Sequence, residues 1–237
     1  MEIYLLRHGM TEWNYQFKIQ GASDIPLHEV GLKMAEETGA ALKEKGITFD
    51  RVYSSPLIRA VQSAKAVSGR EDIITDERLK EMCFGIQEGV SLLEENDGKA
   101  LFEYFKKNPA KYDEAIQTEP SIESFAALCS RAASFLKDVI EEPVHERESR
   151  DGIEKEIRED GRNGRILISG HGALNQALLM HMKKESDIMK FWEGGLMPNC
   201  GIHRILYNEE TKEYSFIEKH LIYYSDELYQ MAPRLFK

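Results

Sequence analysis

Arg7, His8, Arg59 and His171 are the residues of this 237-residue chain whose types and settings could do chemistry together. Each lies at or just beyond a short apolar run of strand length. "IYLL" runs into Arg7-His8-Gly9, "RVYSS" runs into "PLIRAVQSA", and "RILIS" runs into "GHG". A lone His after a strand is usually a capping or solvated residue, and a lone Arg in a helix usually faces water. In an open α/β sheet, however, ligands bind outside the carboxyl ends of the strands, so residues at several such ends can share one site. Two guanidiniums and two imidazoles then converge in a chain whose formal net charge is -10. Guanidinium forks match phosphate or carboxylate oxygens in geometry and charge. Helices starting at the same ends add free N–H groups and partial positive charge. The implied ligand is an anion, and tetrahedral phosphate fits best.

The elements that must position these residues follow from the apolar pattern. Continuous apolar runs suit strands buried on both faces, as in a parallel sheet. Each run is followed by a helical pattern: "PLIRAVQSAKAV", with Ser55 as N-cap and Pro56 as first helical residue, and "GALNQALLMHM" after His171. "LHEVGLKMAEETGAALKEKG" reads as a helix closed by Gly46. "GIHRILYNEETKEYSFIEKHL" reads as a β-hairpin turning near residues 208–211. Phe102, Phe105, Phe125, Leu128, Ala132, Phe135, Leu136 and Val139 recur at spacings of three and four, which predicts amphipathic helices. The expected fold is α/β: a three-layer sandwich with a largely parallel central sheet, helices on both faces, and a helical insertion (about 90–142) over the strand C-terminal ends. The charge-dense stretch of about 143–165 reads as an exposed loop. Neither a repeat nor a long linker divides the chain, so residues 1–237 are expected to form one domain.

The bulk composition excludes several classes. A hydrophobic fraction of 42% and a charged fraction of 30% are those of a globular protein. The acidic balance argues against a nucleic-acid or anionic-membrane partner, both of which need basic surface. A local Arg cluster can still outweigh distant acids within a Debye length of roughly 10 Å. Cys83, Cys129 and Cys200 are odd in number and far apart, which reads as reduced and free of structural zinc or disulfides. With no secretory leader and no span-length apolar run, a cytoplasmic location is expected. The chain carries no Walker A loop, no H-E-x-x-H and no Asp/His cluster with ligand spacing, so no metal and no cofactor is expected. His28, His145, His181, His203 and His220 are scattered and read as structural or solvated. The expected partner is a small phosphorylated substrate. The oligomeric state stays open, a homodimer included.

"LLRHGMTEWN" resembles the signature of the histidine phosphatase superfamily, the phosphoglycerate-mutase-like family. "YSSPLIRAVQSA", "RLKEMCFGIQEG" and "ISGHGALNQ" resemble its next three blocks, in the family's order, so the resemblance covers residues 1 to about 205. It implies that His8 is the nucleophile that takes the phosphoryl group. Arg7 and Arg59 would hold phosphate oxygens, His171 would donate to them, and Asn14 and the backbone at Gly21 would complete the pocket. Glu81 would be the general acid and later the base; the block match alone singles it out from Glu77 and Glu88. The physical logic agrees. Imidazole attacks phosphorus only when neutral, its unperturbed pKa is about 6.5, and neighbouring guanidiniums disfavour imidazolium. Phosphoryl transfer is mostly positioning plus electrostatic stabilisation, which side-chain cations can supply. Gly9 is expected to let the chain turn closely around the anion.

Three activities compete. A phosphatase resolves phospho-His8 with water, and a mutase returns the phosphoryl group to a bound phosphoglycerate. A non-catalytic module would only bind phosphate. The family's mutases resemble one another in an Arg directly after the Glu and then a Tyr, positions held here by Met82 and Phe84. There is no Arg between Arg78 and Arg131, and Lys106 and Lys107 lack the bidentate fork. The expectation is therefore a metal-independent phosphomonoesterase. Phe102, Tyr104 and Phe105 read as core; any that face the pocket would suit an apolar or ring-bearing alcohol.

Overall fold

All six residues of the first strand, β1 (Glu2–Arg7), are buried. Ile3 and Leu5 enter one hydrophobic cluster and Tyr4 and Leu6 the other, because alternate side chains of a strand point to opposite faces. The computed structural model describes residues 1–141 and 164–232. Its other strands are β2 (Arg51–Ser54), β3 (Ile74–Thr75), β4 (Arg165–Gly170), β5 (Ile202–Asn208) and β6 (Glu213–Leu221), in the order β3-β2-β4-β1-β5-β6. The pairs β1–β4, β4–β2 and β2–β3 are parallel, while β5 and β6 are antiparallel additions at one edge. The hairpin turn follows Asn208, whose Oδ1 accepts from the backbone of Glu210 and Thr211.

In chain order the helices are α1 (Glu12–Tyr15), α2 (Glu29–Glu44), α3 (Ile58–Ser68), α4 (Asp97–Lys107), α5 (Pro109–Ala115), α6 (Phe125–Leu136), α7 (Gly172–Met182) and α8 (Asp226–Met231). Val30 and Met34 of α2, Ala64 of α3 and Leu228 of α8 cover the Tyr4/Leu6 face. Leu128 and Phe135 of α6 and Leu174 and Leu178 of α7 cover the Ile3/Leu5 face. The result is the expected α/β sandwich of three layers. Among the described residues no helix is long and apolar enough to cross a membrane. Cys83, Cys129 and Cys200 are free thiols.

Three local expectations are corrected. First, α6 is a layer of the sandwich rather than a cover, since Phe135 meets Tyr53 of β2 edge-on at 5.8 Å; α4 and α5 carry the aromatic residues near the strand ends. Three- and four-residue spacing shows that a helix has an apolar face, but not what it packs on. Second, Ser55 is not the cap of α3. The Ser55 N–H still bonds the Ser169 carbonyl at 3.0 Å, so the chain stays extended there, and Leu57 is the N-cap. Asp24 supplies the missing acceptor, taking the Ile58 N–H at 2.6 Å. Third, the described contact that requires glycine at position 9 is with a helix. A Cβ on Gly9 would lie 2.4 Å from the Gly31 carbonyl oxygen, and one on Gly31 would lie 2.0 Å from the Met10 oxygen. The loop after β1 and helix α2 therefore pass backbone to backbone. Of the exposed-loop expectation, residues 143–163 lie outside the described residues, and Arg165 opens β4.

Candidate active site

Parallel register sets the floor of the site. Arg7 pairs with Gly170 and Ser54 with Ser169, so three strands end at one level. The His8 N–H continues the ladder to the Gly170 carbonyl at 3.0 Å. His8 is 3% exposed, and its Nδ1 lies 2.6 Å from the Gly9 carbonyl oxygen. A carbonyl can only accept, so Nδ1 is assigned the proton and Nε2 keeps the lone pair. Burial, then Arg59 and Arg7, pushes the His8 pKa well below 6.5, against a smaller opposing effect of the Gly9 bond. The ring is held neutral, as the tautomer with Nε2 free.

Arg7, Arg59 and His171 surround it. Arg7 Nη1 donates to the Met197 carbonyl at 2.6 Å, and Arg59 donates to the carbonyls of Ser23 and Gly21 at 2.7 and 2.6 Å. These bonds aim the two guanidiniums. Among the described residues the Nε of each has no partner, and both ring nitrogens of fully buried His171 have none either. The His171 ring lies 5.1 Å from that of His8. Buried polar atoms without partners are costly, and their gathering in one cleft suits an anion that would satisfy several at once. Burial, opposed by Glu81, lowers both arginine pKa values to about 10, so both stay cationic at neutral pH. Asn14 lines the same cleft. Its Oδ1 already accepts from Thr11 N–H and Oγ1, both at 3.1 Å, so its amide NH2 is what it can offer an anion. Gly21 enters through its carbonyl, which steadies Arg59, in the left-handed backbone region at φ +56°.

Glu81 reaches the site from the loop after β3. Its carboxylate accepts from the Met82, Leu174 and Ala173 N–H groups at 2.9, 3.0 and 3.1 Å, which seats it on the first turn of α7. A Cβ on Gly172 would lie 3.5 Å from Glu81 Oε2 and 3.9 Å from Arg7 Nε, so the three groups meet there. The cleft is lined further by Phe84, Phe102, Phe105, Trp192 and Leu196, together with Lys18, Ile19 and Gln20. Phe102 and Phe105 are thus both buried and cleft-lining, whereas Tyr104 is 43% exposed and outside the lining. Lys106 and Lys107 pair with Glu103 instead of lining the cleft.

The family model for the histidine phosphatase superfamily (branch 1) matches residues 3–219. The chain belongs to that superfamily. A probable phosphoglycerate mutase, GpmB, of Proteus mirabilis is 34% identical over 151 residues, covering 62% of this chain and 66% of that protein. The 2,3-bisphosphoglycerate-dependent phosphoglycerate mutase of Corynebacterium diphtheriae is 30% identical over 200 residues, covering 78% of each. Among solved structures, Bacillus stearothermophilus YhfR superposes with a TM-score of 0.73 at 24% identity, over 92% of this chain and 96% of that one.

Some residues of this cleft and its surroundings escape sequence reasoning. Asn199 donates to the His8 carbonyl at 3.1 Å across 191 residues of sequence. Glu88 accepts from Ala22, Ser23 and Phe84 N–H groups at 2.8 to 3.0 Å and ties the Gly21 loop to the Glu81 loop. Arg131 of α6 donates to the carbonyls of Arg78, Lys80 and Glu81 and pairs with Glu123. Trp192 and Lys18 also line the cleft. None sits in a local pattern that marks it, because each works through contacts distant in sequence.

Proposed function

We propose that this histidine phosphatase superfamily member is a metal-independent phosphomonoesterase that works through a covalent phosphohistidine on His8. The observation that carries the choice of phosphatase over mutase is the cleft wall. Its lining includes Phe84, Phe102, Phe105, Trp192 and Leu196, and among the described residues Arg7 and Arg59 are the sole arginines of the lining. Both relatives named above carry mutase names, yet a mutase must also grip a glycerate carboxylate. Arg131, the nearest arginine in sequence beyond Arg78, is taken up by three backbone carbonyls and Glu123.

In the first step the Nε2 lone pair of His8 forms a bond to phosphorus while the ester P–O bond breaks. The proton of Glu81 passes to the leaving oxygen. Arg7, Arg59, the Asn14 NH2 and an N–H of neutral His171 face the equatorial oxygens, where the charge of the transition state is spread. The Nδ1–H bond to Gly9 stabilises the ring as it becomes cationic. In the second step Glu81 takes a proton from water, water oxygen bonds to phosphorus, and the P–N bond returns its pair to Nε2.

The test is phosphate release from 4-nitrophenyl phosphate with chelator present. Activity should persist in chelator and fall by about 10³-fold or more in His8→Ala. Activity that survives His8→Ala, or that chelator abolishes, overturns the reading. So does rapid conversion of 3- to 2-phosphoglycerate in the presence of a bisphosphoglycerate primer.

A further inference from the structure

The wall of the cleft has a built geometry that phosphoryl transfer itself does not need. Phe84 and Phe105 meet edge to face at 5.1 Å and 79°. Phe105 and Trp192 do so at 5.0 Å and 70°, and Phe102 stacks on Phe105 at 5.2 Å. The Trp192 indole N–H donates to the Phe105 carbonyl at 2.7 Å, which fixes the indole against α4. Trp192 and Leu196 remain half-buried where they line the cleft, while the three phenylalanines behind them are buried. An apolar face with this much internal order exists before any ligand arrives, so little side-chain freedom is lost on binding.

This face is continuous with the anion cradle, since the same cleft is lined by Arg7, His8 and Arg59. A molecule whose phosphate lies on the cations can therefore bring its alcohol portion against Trp192 and Phe105 within the same cleft. Flat unsaturated rings gain from edge or face contact there. A carboxylate in that place would lose water against phenylalanine with no guanidinium fork to meet it. Among the described residues Lys18 is the one basic side chain of the lining besides the two arginines. It offers a point charge rather than a fork.

Resting on the phosphatase reading above, we propose that the substrate is the phosphate monoester of a ring-bearing alcohol. Its flat apolar ring lies against Trp192, Phe105 and Leu196 while its phosphoryl group occupies the Arg7–Arg59–His171 cradle.

The experiment compares benzyl with ethyl esters, whose leaving alcohols are of similar acidity. Binding of the non-hydrolysable benzyl and ethyl phosphonates is measured by calorimetry, and turnover of benzyl phosphate, ethyl phosphate and 3-phosphoglycerate is measured alongside. Benzyl phosphonate should bind about 10-fold more tightly than ethyl phosphonate, and benzyl phosphate should show the highest kcat/KM of the three esters. In Trp192→Ala the benzyl-to-ethyl ratio should collapse toward one, and Trp192→Phe should restore most of it. Equal binding of the two phosphonates by the wild-type protein overturns the proposal, whether or not the variants fold. Preference for 3-phosphoglycerate that is lost in Lys18→Gln overturns it as well, by assigning the outer cleft to a carboxylate. If no ester is turned over while benzyl phosphonate still binds preferentially, the phosphatase reading fails and the ring site stands.

Discussion

A solvated imidazole is half protonated near pH 6.5. His8 is 3% exposed, lies beside two guanidiniums, and donates its Nδ1 proton to Gly9. Protonation would place a third positive charge in a buried site, so the folded protein binds that proton only well below pH 6.5. The expected outcome is that the His8 imidazole signals, assigned by their loss in His8→Asn, remain those of the neutral tautomer as an NMR titration passes from pH 7.5 to about 5.5. A midpoint near 6.5 would show that the burial and charge argument is wrong. At this scale the sequence was informative for Arg7, His8, Arg59 and His171, because each closes or follows a strand-length apolar run. It was uninformative for Asn199 and Glu88. An isolated amide or acid acquires its partner only when segments 191 or 66 residues apart are brought together.

The loop that carries Glu81 has almost no regular structure, yet it must hold a carboxylate within reach of a phosphoryl group. Two side chains of neighbouring elements clamp it. Arg131 on α6 donates to the carbonyls of Arg78, Lys80 and Glu81 at 2.7, 2.5 and 3.1 Å. Glu123 accepts from the Cys83 N–H at 3.1 Å, and its own N–H donates to the Cys83 carbonyl at 2.8 Å. The two close on each other through a bidentate pair at 2.7 and 2.9 Å. Arg131 is thus a positioning residue acting through Glu81. Protonation of the leaving group matters for a poor leaving group and hardly at all for a good one. Arg131→Met should accordingly lower kcat for ethyl phosphate by about 10²-fold and far less for 4-nitrophenyl phosphate, with Arg131→Lys intermediate. A uniform loss over both esters would reduce the residue to a structural one. The existence of α6 could be read from its three- and four-residue spacing. Its place in the sandwich, and the task of its one arginine, could not, since periodicity says nothing about what lies opposite a polar face.

On the scale of the whole molecule, charge is divided between the two ends of the sheet. At the carboxyl ends lie the buried cations of the site. At the amino ends Glu2 is held by Arg165 and Arg204 at 2.7 and 2.5 Å, and these two arginines outweigh burial to keep its carboxyl below the ordinary range. The alternation of strands and helices made this architecture legible in advance, down to the edge hairpin. The burial of three histidines in it was not. His8 and His171 lie in the cleft, and His203 lies on β5 against His220 at 4.8 Å. Burial first, then His220, Lys219 and Lys183, lowers the His203 pKa to about 3. A pKa depressed in the folded state means that the unfolded chain binds more protons as pH falls below 6.5, so stability falls with it. For His203 the window runs from 6.5 down to about 3. Its share of the loss between pH 7.5 and 5 is about 2 kcal/mol. Urea unfolding at the two pH values should show a clear drop in midpoint for the wild-type protein. His203→Asn removes the titrating group but retains an acceptor for the His220 N–H, which His203 Nδ1 now receives at 3.2 Å. That variant should be less stable at pH 7.5 yet lose about 2 kcal/mol less on acidification. An unchanged loss would place the acid sensitivity elsewhere, in the two cleft histidines, where saturating phosphonate would alter the slope and His203→Asn would not.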